Sequence, residues 1–287
     1  MPVPVVFILA SNYSGSHLLA AALGAHSACA DIGELGNLRK FLVRSERPLS
    51  GTRGEFASAS LFSGLVELPE ARWLAEVHER LAATGRPAAV LVDNSKRIEW
   101  VEQAISSGTV EQRLIHLIRD PRALARRWRD TFQAQGASRR IRWREARRNP
   151  QRSVRILSAP ETGVYGWRWL RENAEIASFV ANCGAAHVRI SYESLMAAPE
   201  VALGALMSAL ELEFEPAQLR YGASEAHGTS KPEWSEARAA SRWEVDERWR
   251  LELDEAEQRA VTAVAPLAEF LAALGYRFGP KGLERIH

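Results

Sequence analysis

The first 24 residues constrain the fold more than any other part of the chain, because an apolar run, a polar loop and a helical run follow one another directly. Residues 3–10 are apolar and rich in β-branched side chains, which is typical of a strand buried on both faces. Six small or polar residues follow, and residues 18–24 then favour a helix that ends at a glycine. The order predicts a strand, a tight loop and a helix, with the loop at the helix N-terminus.

Three further apolar runs have the length of central strands, at residues 88–92, 114–118 and 188–192. Helical stretches separate them, as expected for parallel strands joined by crossover helices in an α/β fold. Ligands of such sheets collect outside the carboxyl ends of the strands. We therefore predict one domain over residues 1–287, with its functional residues where the strands end.

Composition excludes several classes of protein. With 37 basic and 35 acidic side chains the net charge is +2, which does not favour a nucleic-acid partner. The sequence contains no run of 18 apolar residues, so no membrane span is predicted. The apolar start lacks the basic flank of a signal peptide, and a cytoplasmic location is therefore expected. The two cysteines, Cys29 and Cys183, have neither CxxC spacing nor further partners, and we predict buried free thiols.

One segment departs from this balance. Residues 126–155 contain eleven arginines against only Asp130 and Glu145, a local charge of +9. Residues 133–160 also interrupt the α/β pattern, and we predict an inserted helical segment or mobile lid there. The arginines could collect an anionic donor or an acidic acceptor such as a glycan, bind nucleic acid, or form a solvated face, and these alternatives stay open.

The loop after the first strand has the composition of an anion-binding loop. Small residues and Gly15 would present free backbone N–H groups at the start of a helix, where the helix dipole also favours negative charge. It is not a Walker A loop, because Ser16 and His17, rather than a lysine, follow the glycine. A P-loop nucleotide or small-molecule kinase therefore remains only an alternative.

Two motifs carry a resemblance to a known family. The sequence SGSHLL at 14–19, with His26 and Ser27 after the helix, resembles the 5′-phosphosulfate loop of bacterial sulfotransferases that use 3′-phosphoadenylyl sulfate. The sequence RDPRA at 119–123 resembles their 3′-phosphate motif. Weaker similarities at 92–96, 191–195 and 246–250 follow in the same order, which is also that of tyrosylprotein-type sulfotransferases. The resemblance covers about residues 4–277 and implies a P-loop-like three-layer fold with a central, mainly parallel sheet.

The resemblance also implies a donor site and a catalytic set. The donor would be 3′-phosphoadenylyl sulfate, the product 3′-phosphoadenosine 5′-phosphate, and no metal would be needed. The residues expected to bind the donor are Asn12, Tyr13, Ser14, Gly15, Ser16, His17, Leu18, Arg119, Arg127, Tyr192, Ser230 and Lys231.

In-line sulfuryl transfer needs a base for the acceptor and positive charge on the bridging oxygen. Glu34 is the expected base, Lys96 the expected cation, and His17 a further ligand of the 5′-phosphate. Ordinary roles compete with these: a helix-capping or surface carboxylate for Glu34, a solvated loop residue for Lys96, and a helix cap for His17. Tyr192 would pack on adenine or, alternatively, serve the core.

Two positions depart from the family pattern. Tyr13 stands where the loop usually carries arginine or lysine, and Arg127 stands where a serine is usual. A phenol supplies no fixed positive charge, so Lys96 must replace it or the protein is a catalytically degenerate nucleotide-binding member. Arg127 would reach the 3′-phosphate or join the solvated arginines.

The acceptor is not evident from the sequence, because acceptor pockets are built from variable loops. A small-molecule, glycan or peptide acceptor is expected, with a hydroxyl preferred to an amine. The oligomeric state is open, with a homodimer among the options.

Overall fold

The computed structural model describes residues 2–43, 61–85, 90–223 and 242–286. Five parallel strands form the main sheet in the order β2-β3-β1-β4-β5. A separate antiparallel hairpin, β6-β7, lies near the C-terminal end of the described residues. The strands are β1 (Val3–Ala10), β2 (Cys29–Gly33), β3 (Val90–Asp93), β4 (Val110–Ile118), β5 (Ala186–Ser191), β6 (Tyr276–Phe278) and β7 (Leu283–Arg285).

Helices follow most strands. The α-helices are α1 (Ser16–Gly24), α2 (Leu38–Val43), α3 (Trp73–Ala83), α4 (Ile98–Ser106), α5 (Pro121–Ala134), α6 (Ser138–Arg148), α7 (Ser153–Ser158), α8 (Glu161–Asn182), α9 (Tyr192–Ala197), α10 (Pro199–Ala209), α11 (Trp249–Glu252), α12 (Glu255–Thr262) and α13 (Leu267–Ala273). Short 3₁₀ segments span Leu35–Asn37, Leu65–Glu67, Glu70–Arg72, Pro150–Arg152 and Pro216–Ala223.

The sheet is covered on both faces, as the alternation of side chains along β1 shows. Val5, Phe7 and Leu9 pack into one apolar cluster, while Val6 and Ile8 pack into another. Successive residues of a strand point to opposite faces, so the two clusters lie on opposite sides of the sheet. The predicted α/β fold with a central parallel sheet between helical layers is confirmed.

The predicted strands agree with the structure except at their ends. β1 has the predicted bounds, β4 begins four residues earlier than the run 114–118, and Tyr192 belongs to α9 rather than to β5. Residues 88–89 of the predicted run 88–92 lie outside the described residues. β2 was not predicted, because its sequence CADIG is short and includes an aspartate and a glycine.

The arginine-rich segment is helical and packs on the rest of the protein. Ile141 of α6 and Ile156 of α7 are buried in one cluster with Trp128 of α5 and Trp169 of α8. Movement of the segment as a lid stays a prediction.

Some of its arginines are structural. Arg126 pairs with Glu252, Arg129 pairs with Glu257, and Arg142 donates to three main-chain carbonyls in 156–159. Arg139 and Arg140, by contrast, are exposed. The local charge of +9 over residues 126–155 is therefore only partly exposed to solvent.

Cys29 is buried and Cys183 half-buried, and both are free thiols. None of the helices described has the length and apolar character needed to cross a membrane.

Candidate active site

Four neighbouring strands end at the same edge of the sheet and bring the candidate residues there. The loop 11–15 follows β1, Glu34 follows β2, Lys96 follows β3 and Arg119 follows β4. Because these strands are parallel and adjacent, their carboxyl ends meet at one edge. The predicted residues thus come together from positions far apart in the chain.

The loop 11–15 leads into α1 with backbone geometry that an anion site requires. Gly15 has φ +91°, and no side chain caps the start of α1, whose first turn contains no acidic residue. The first N–H groups of a helix lack intrahelical partners and attract anions. The Ser14 hydroxyl is also buried and has no hydrogen-bond partner among the described residues. Both features fit a phosphate or sulfate group held by the loop.

Close packing explains why a glycine occupies position 15. A Cβ atom built there would lie 2.7 Å from Cδ2 of Tyr192. Positive φ is costly for other residues, so Gly15 satisfies two requirements. Tyr13, with φ 73°, adopts the same left-handed conformation without being glycine.

The three predicted catalytic residues form one hydrogen-bonded cluster. The His17 imidazole contacts Oε1 of Glu34 through Nε2 at 3.0 Å, and the Lys96 ammonium donates to the same oxygen. Asn37 Nδ2 donates to Oε2 of Glu34 at 3.0 Å. The Lys96 side chain is 8% exposed and that of Glu34 is 16% exposed. Neither is therefore a solvated loop side chain, and the side chain of Glu34 does not cap the following 3₁₀ turn.

The loops after β2 and β3 are tied together beneath this cluster. A register shift in the pairing of β2 with β3 occurs between Asp31 and Gly33, and Asn94 N donates to the Gly33 carbonyl at 2.9 Å. Ser95 Oγ accepts a hydrogen bond from Gly36 N at 2.8 Å. Lys96 has φ 60°, which turns the chain sharply after β3. These hydrogen bonds and the turn at Lys96 bring Glu34 within reach of Lys96.

The electrostatic balance keeps Glu34 ionised. Burial raises the pKa of Glu34, but the hydrogen bonds from His17 and Lys96 and the positive charges of these two side chains outweigh burial and lower the pKa to about 2. For Asp93, behind the cluster, burial dominates the hydrogen bonds from Ser95 and raises the pKa to about 6. Glu34 is thus a carboxylate at neutral pH.

Arg119 lies at the other end of the loop. Its Nη1 donates to the Tyr13 carbonyl at 2.9 Å and its Nη2 to Asp246 Oδ2 at 3.1 Å. The guanidinium carbon lies 4.1 Å from the ring centre of Tyr192, and Nε is buried with no hydrogen-bond partner in the part of the chain that the structure describes. Trp169 Nε1 donates to the Arg119 carbonyl at 2.8 Å and fixes the main chain. The guanidinium and the loop therefore belong to one site.

The residues after Arg119 fold as a capped helix start. Asp120 caps α5 by accepting a hydrogen bond from Arg122 N at 2.7 Å, and Pro121 occupies the first helical position, as expected. The Asp120 main-chain N–H donates to Glu193 Oε1 at 2.9 Å. Burial and the nearby Asp120 charge raise the pKa of Glu193 to about 8.

The two positions that depart from the family pattern contact each other. The guanidinium carbon of Arg127 lies 5.1 Å from the ring centre of Tyr13, within cation–π range. Asn12 is exposed, Ser16 is buried, and Leu18 packs partly buried against the apolar core. Ser230 and Lys231 lie outside the described residues.

Three residues of the site have roles that no sequence pattern indicates. Asn37 and Asn94 bond to Glu34 and His17, and Asp246 bonds to Arg119. Asn94 and Asp246 lie in stretches that resemble the family, but no pattern in those stretches indicates which side chain they contact. Asn37, three residues after Glu34, lies in no motif that indicates a role in the site.

Comparisons of the sequence and of the fold with known proteins point to one family. A sequence model described as the Sulfotransferase family matches residues 4–216. The fold is similar to a sulfotransferase domain from the curacin biosynthetic pathway, at 19% identity and TM-score 0.53, covering 92% of this chain and 98% of that one. It is also similar to the sulfotransferase domain of the Synechococcus PCC 7002 olefin synthase, at 22% identity and TM-score 0.58, covering 94% and 95%. No curated protein matches the chain.

Proposed function

Because this chain belongs to the sulfotransferase family, we propose that it transfers a sulfuryl group from 3′-phosphoadenylyl sulfate to an acceptor hydroxyl. The second product would be 3′-phosphoadenosine 5′-phosphate, and the proposal includes no metal.

One observation carries the proposal: Arg119 donates to the Tyr13 carbonyl of the loop 11–15, while His17, four residues later in the first turn of α1, contacts Glu34. The loop thus connects a guanidinium suited to a phosphate with a carboxylate and an ammonium suited to proton and charge transfer. A donor with phosphate groups at both ends of an adenosine matches this arrangement. We assign its 5′-phosphosulfate to the N–H groups of residues 11–18 and its 3′-phosphate to Arg119.

Glu34 and Lys96 have the free hydrogen-bonding capacity that the reaction needs. Oε2 of Glu34 accepts from Asn37, and a carboxylate oxygen has a second lone pair for the proton of the acceptor. Lys96 donates to Glu34 and to the Asn94 carbonyl, and an ammonium has a third N–H for the bridging oxygen. In the proposed step the acceptor oxygen bonds to sulfur, the bond from sulfur to the bridging oxygen breaks, and that oxygen leaves with the electron pair.

Other residues have supporting roles in the proposal. Tyr192 is buried between Gly15 and Arg119, and we propose that it borders the adenosine rather than only filling the core. Arg127, stacked on Tyr13, would bring positive charge to the loop position where the family usually carries it. Ser230 and Lys231 stay candidates for the 3′-phosphate. The acceptor would be a small molecule, a glycan or a peptide.

Calorimetric titration with 3′-phosphoadenosine 5′-phosphate tests the donor site. Since a hydrogen bond to a charged group contributes about 1.5–3 kcal/mol, Arg119→Ala should weaken binding roughly 10- to 100-fold. Arg139→Ala, which removes an exposed arginine of α6, is the matched control and should bind as the unchanged protein does. If the unchanged protein shows no binding, the proposal is wrong.

Transfer itself needs a second assay, since a degenerate member would bind the nucleotide without turnover. Labelled donor incubated with phenols, lipids, glycans and peptides should give a labelled product with at least one class. Nucleotide binding with no transfer to any of them, or to water, would identify a binding protein instead of an enzyme.

A further inference from the structure

Asn94 lies behind His17, in a position that the proposed chemistry does not use directly. It is the first residue after β3 and is completely buried. Its amide nitrogen Nδ2 lies 3.1 Å from Nδ1 of His17. The opposite ring nitrogen, Nε2, is the one in contact with Glu34. Asn94 and Glu34 therefore hold the imidazole from both sides.

The hydrogen-bonding capacity of these groups determines where the proton of His17 lies. An amide NH₂ group can only donate, so Nδ1 of His17 must be the acceptor and carry no proton. An ionised carboxylate can only accept, so Nε2 must donate to Glu34. The arrangement is satisfied by neutral His17 with its single proton on Nε2.

The reversed amide orientation would require a different charge on His17. Turning the Asn94 amide would place Oδ1 against Nδ1, which would then need a proton, while Nε2 would still need one for Glu34. His17 would become an imidazolium. In the orientation shown by the structure, Nδ2 of Asn94 contacts His17 and the buried Oδ1 has no hydrogen-bond partner among the described residues. The amide orientation and the charge of His17 are thus linked.

Asn94 also contacts Lys96, the cation of the cluster. Its main-chain carbonyl accepts a hydrogen bond from the Lys96 ammonium at 2.9 Å. Lys96 in turn donates to the same Glu34 oxygen that His17 contacts. One buried residue therefore holds both groups that bond to Oε1 of Glu34.

We infer that Asn94 is a positioning residue that keeps His17 neutral, so that the positive charge acting on Glu34 comes from Lys96 rather than from His17. The kinetic consequence rests on the proposed function, but the protonation of His17 does not. A second positive charge beside Glu34 would make the carboxylate a weaker base, since a nearby opposite charge favours the ionised form. The amide would thereby preserve the ability of Glu34 to take a proton.

The direct test is ¹⁵N NMR of the histidine ring nitrogens in the full chain at neutral pH, which needs no nucleotide. His17 should show an unprotonated Nδ1 and a protonated Nε2. His116 provides a reference in the same spectrum, because its Nε2 faces the side-chain amide oxygen Oδ1 of Asn173 at 3.1 Å and its Nδ1 accepts from Arg189 at 3.3 Å. An imidazolium signal, or a proton on Nδ1 of His17, overturns the inference.

Two variants test the linkage. The carboxylate introduced by Asn94→Asp can only accept, so His17 should gain a second proton, whereas Asn94→Ser, whose hydroxyl can donate or accept, should retain neutral His17 in part. In turnover assays Asn94→Asp should lower kcat roughly tenfold, the effect of about one pKa unit on Glu34. KM for the donor should change less than twofold.

Stability needs a control of its own. Gln218→Ala removes another completely buried amide, one that bonds to the Ala22 carbonyl. It should lower Tm as Asn94→Ser does while leaving kcat and the His17 signals unchanged. If Gln218→Ala reduces kcat as much as the Asn94 variants, Asn94 acts through stability and the inference fails. Absence of nucleotide binding would instead reject the proposed function and leave the NMR result standing.

Discussion

The two ends of the candidate site both hold a carboxylate against positive charge, but they are built differently. Glu34 is bonded by His17 and Lys96, which follow β1 and β3, two adjacent strands of one sheet. Asp246 reaches Arg119 from a segment 127 residues further along the chain and is also held by Arg248 at 2.7 Å. The sheet thus fixes the first end, whereas the second end depends on a distant segment folding over it.

This difference suggests a division of labour. The Glu34 end has an ionised carboxylate and an ammonium, which the proposed transfer would use to move a proton and to stabilise charge. The Arg119 end has a guanidinium whose carboxylate partner a phosphate would replace. We therefore expect changes at the first end to affect turnover and changes at the second to affect nucleotide binding.

The substitution most able to break this division is Glu34→Gln. Loss of a general base should reduce kcat by roughly 10²- to 10⁴-fold, with binding of 3′-phosphoadenosine 5′-phosphate nearly unchanged. Steady-state kinetics and calorimetry measure the two effects separately. Glu175→Gln, at an exposed carboxylate paired with Arg171, is the control and should retain full activity. Comparable losses of binding and turnover in Glu34→Gln would mean that the two ends do not divide these roles.

The pH dependence of stability sharpens the comparison at the Glu34 end. The pKa of Glu34 is lowered from 4.5 to about 2, so its contribution is present above the ordinary pKa and lost as pH falls from about 5 to 2. At about 1.4 kcal/mol per pKa unit this amounts to roughly 3 kcal/mol of unfolding free energy. Urea unfolding should show this additional loss in the unchanged protein relative to Glu34→Gln. Parallel pH curves for the two proteins would show that His17 and Lys96 do not stabilise the carboxylate.

Gly15→Ala tests the contact that joins the two ends. The added Cβ would lie 2.7 Å from Tyr192 Cδ2, at a residue with φ +91°. Strain of this kind costs of order 1–3 kcal/mol, and the displaced Tyr192 ring should also weaken nucleotide binding. Gly108→Ala is the matched control, because Gly108 has φ +63° but no atom within 4 Å of the added Cβ. Equal destabilisation by both substitutions would show that the Tyr192 contact contributes nothing.

Asp246→Asn should have the smallest effect of these substitutions, and it should strengthen nucleotide binding instead of weakening it. Hydrogen bonds from Arg248 lower the pKa of Asp246, so a full negative charge lies beside Arg119 at neutral pH. Removing a unit charge near a phosphate changes binding by about 1 kcal/mol, so the nucleotide should bind roughly fivefold more tightly in calorimetry. Glu247→Gln removes the same charge one residue away and should change affinity less. Weaker binding by Asp246→Asn would mean that Asp246 orients Arg119 instead of competing for it.

The sequence predicts the strands that are continuous apolar runs and misses the side-chain contacts that depend on tertiary packing. β1 is evident because its apolar run is continuous, whereas β2 contains Asp31 and Gly33 and resembles a loop. The proximity of Glu34 and Lys96 follows from topology once the strands are placed. Which atom of His17 faces which neighbour depends on the register shift in β2 and the turn at Lys96, and neither has a sequence signal. The contact of Asp246 with Arg119 has none either.

Tyr13 and Lys96 share a left-handed backbone conformation that side chains other than glycine seldom adopt. Such a conformation costs roughly 1–2 kcal/mol per residue relative to a right-handed one. Glycine at either position would relax the main chain, yet it would also delete the phenol under Arg127 or the ammonium beside Glu34. Glycine substitutions that raise thermal stability at these two positions would therefore remove side chains on which the proposed chemistry depends.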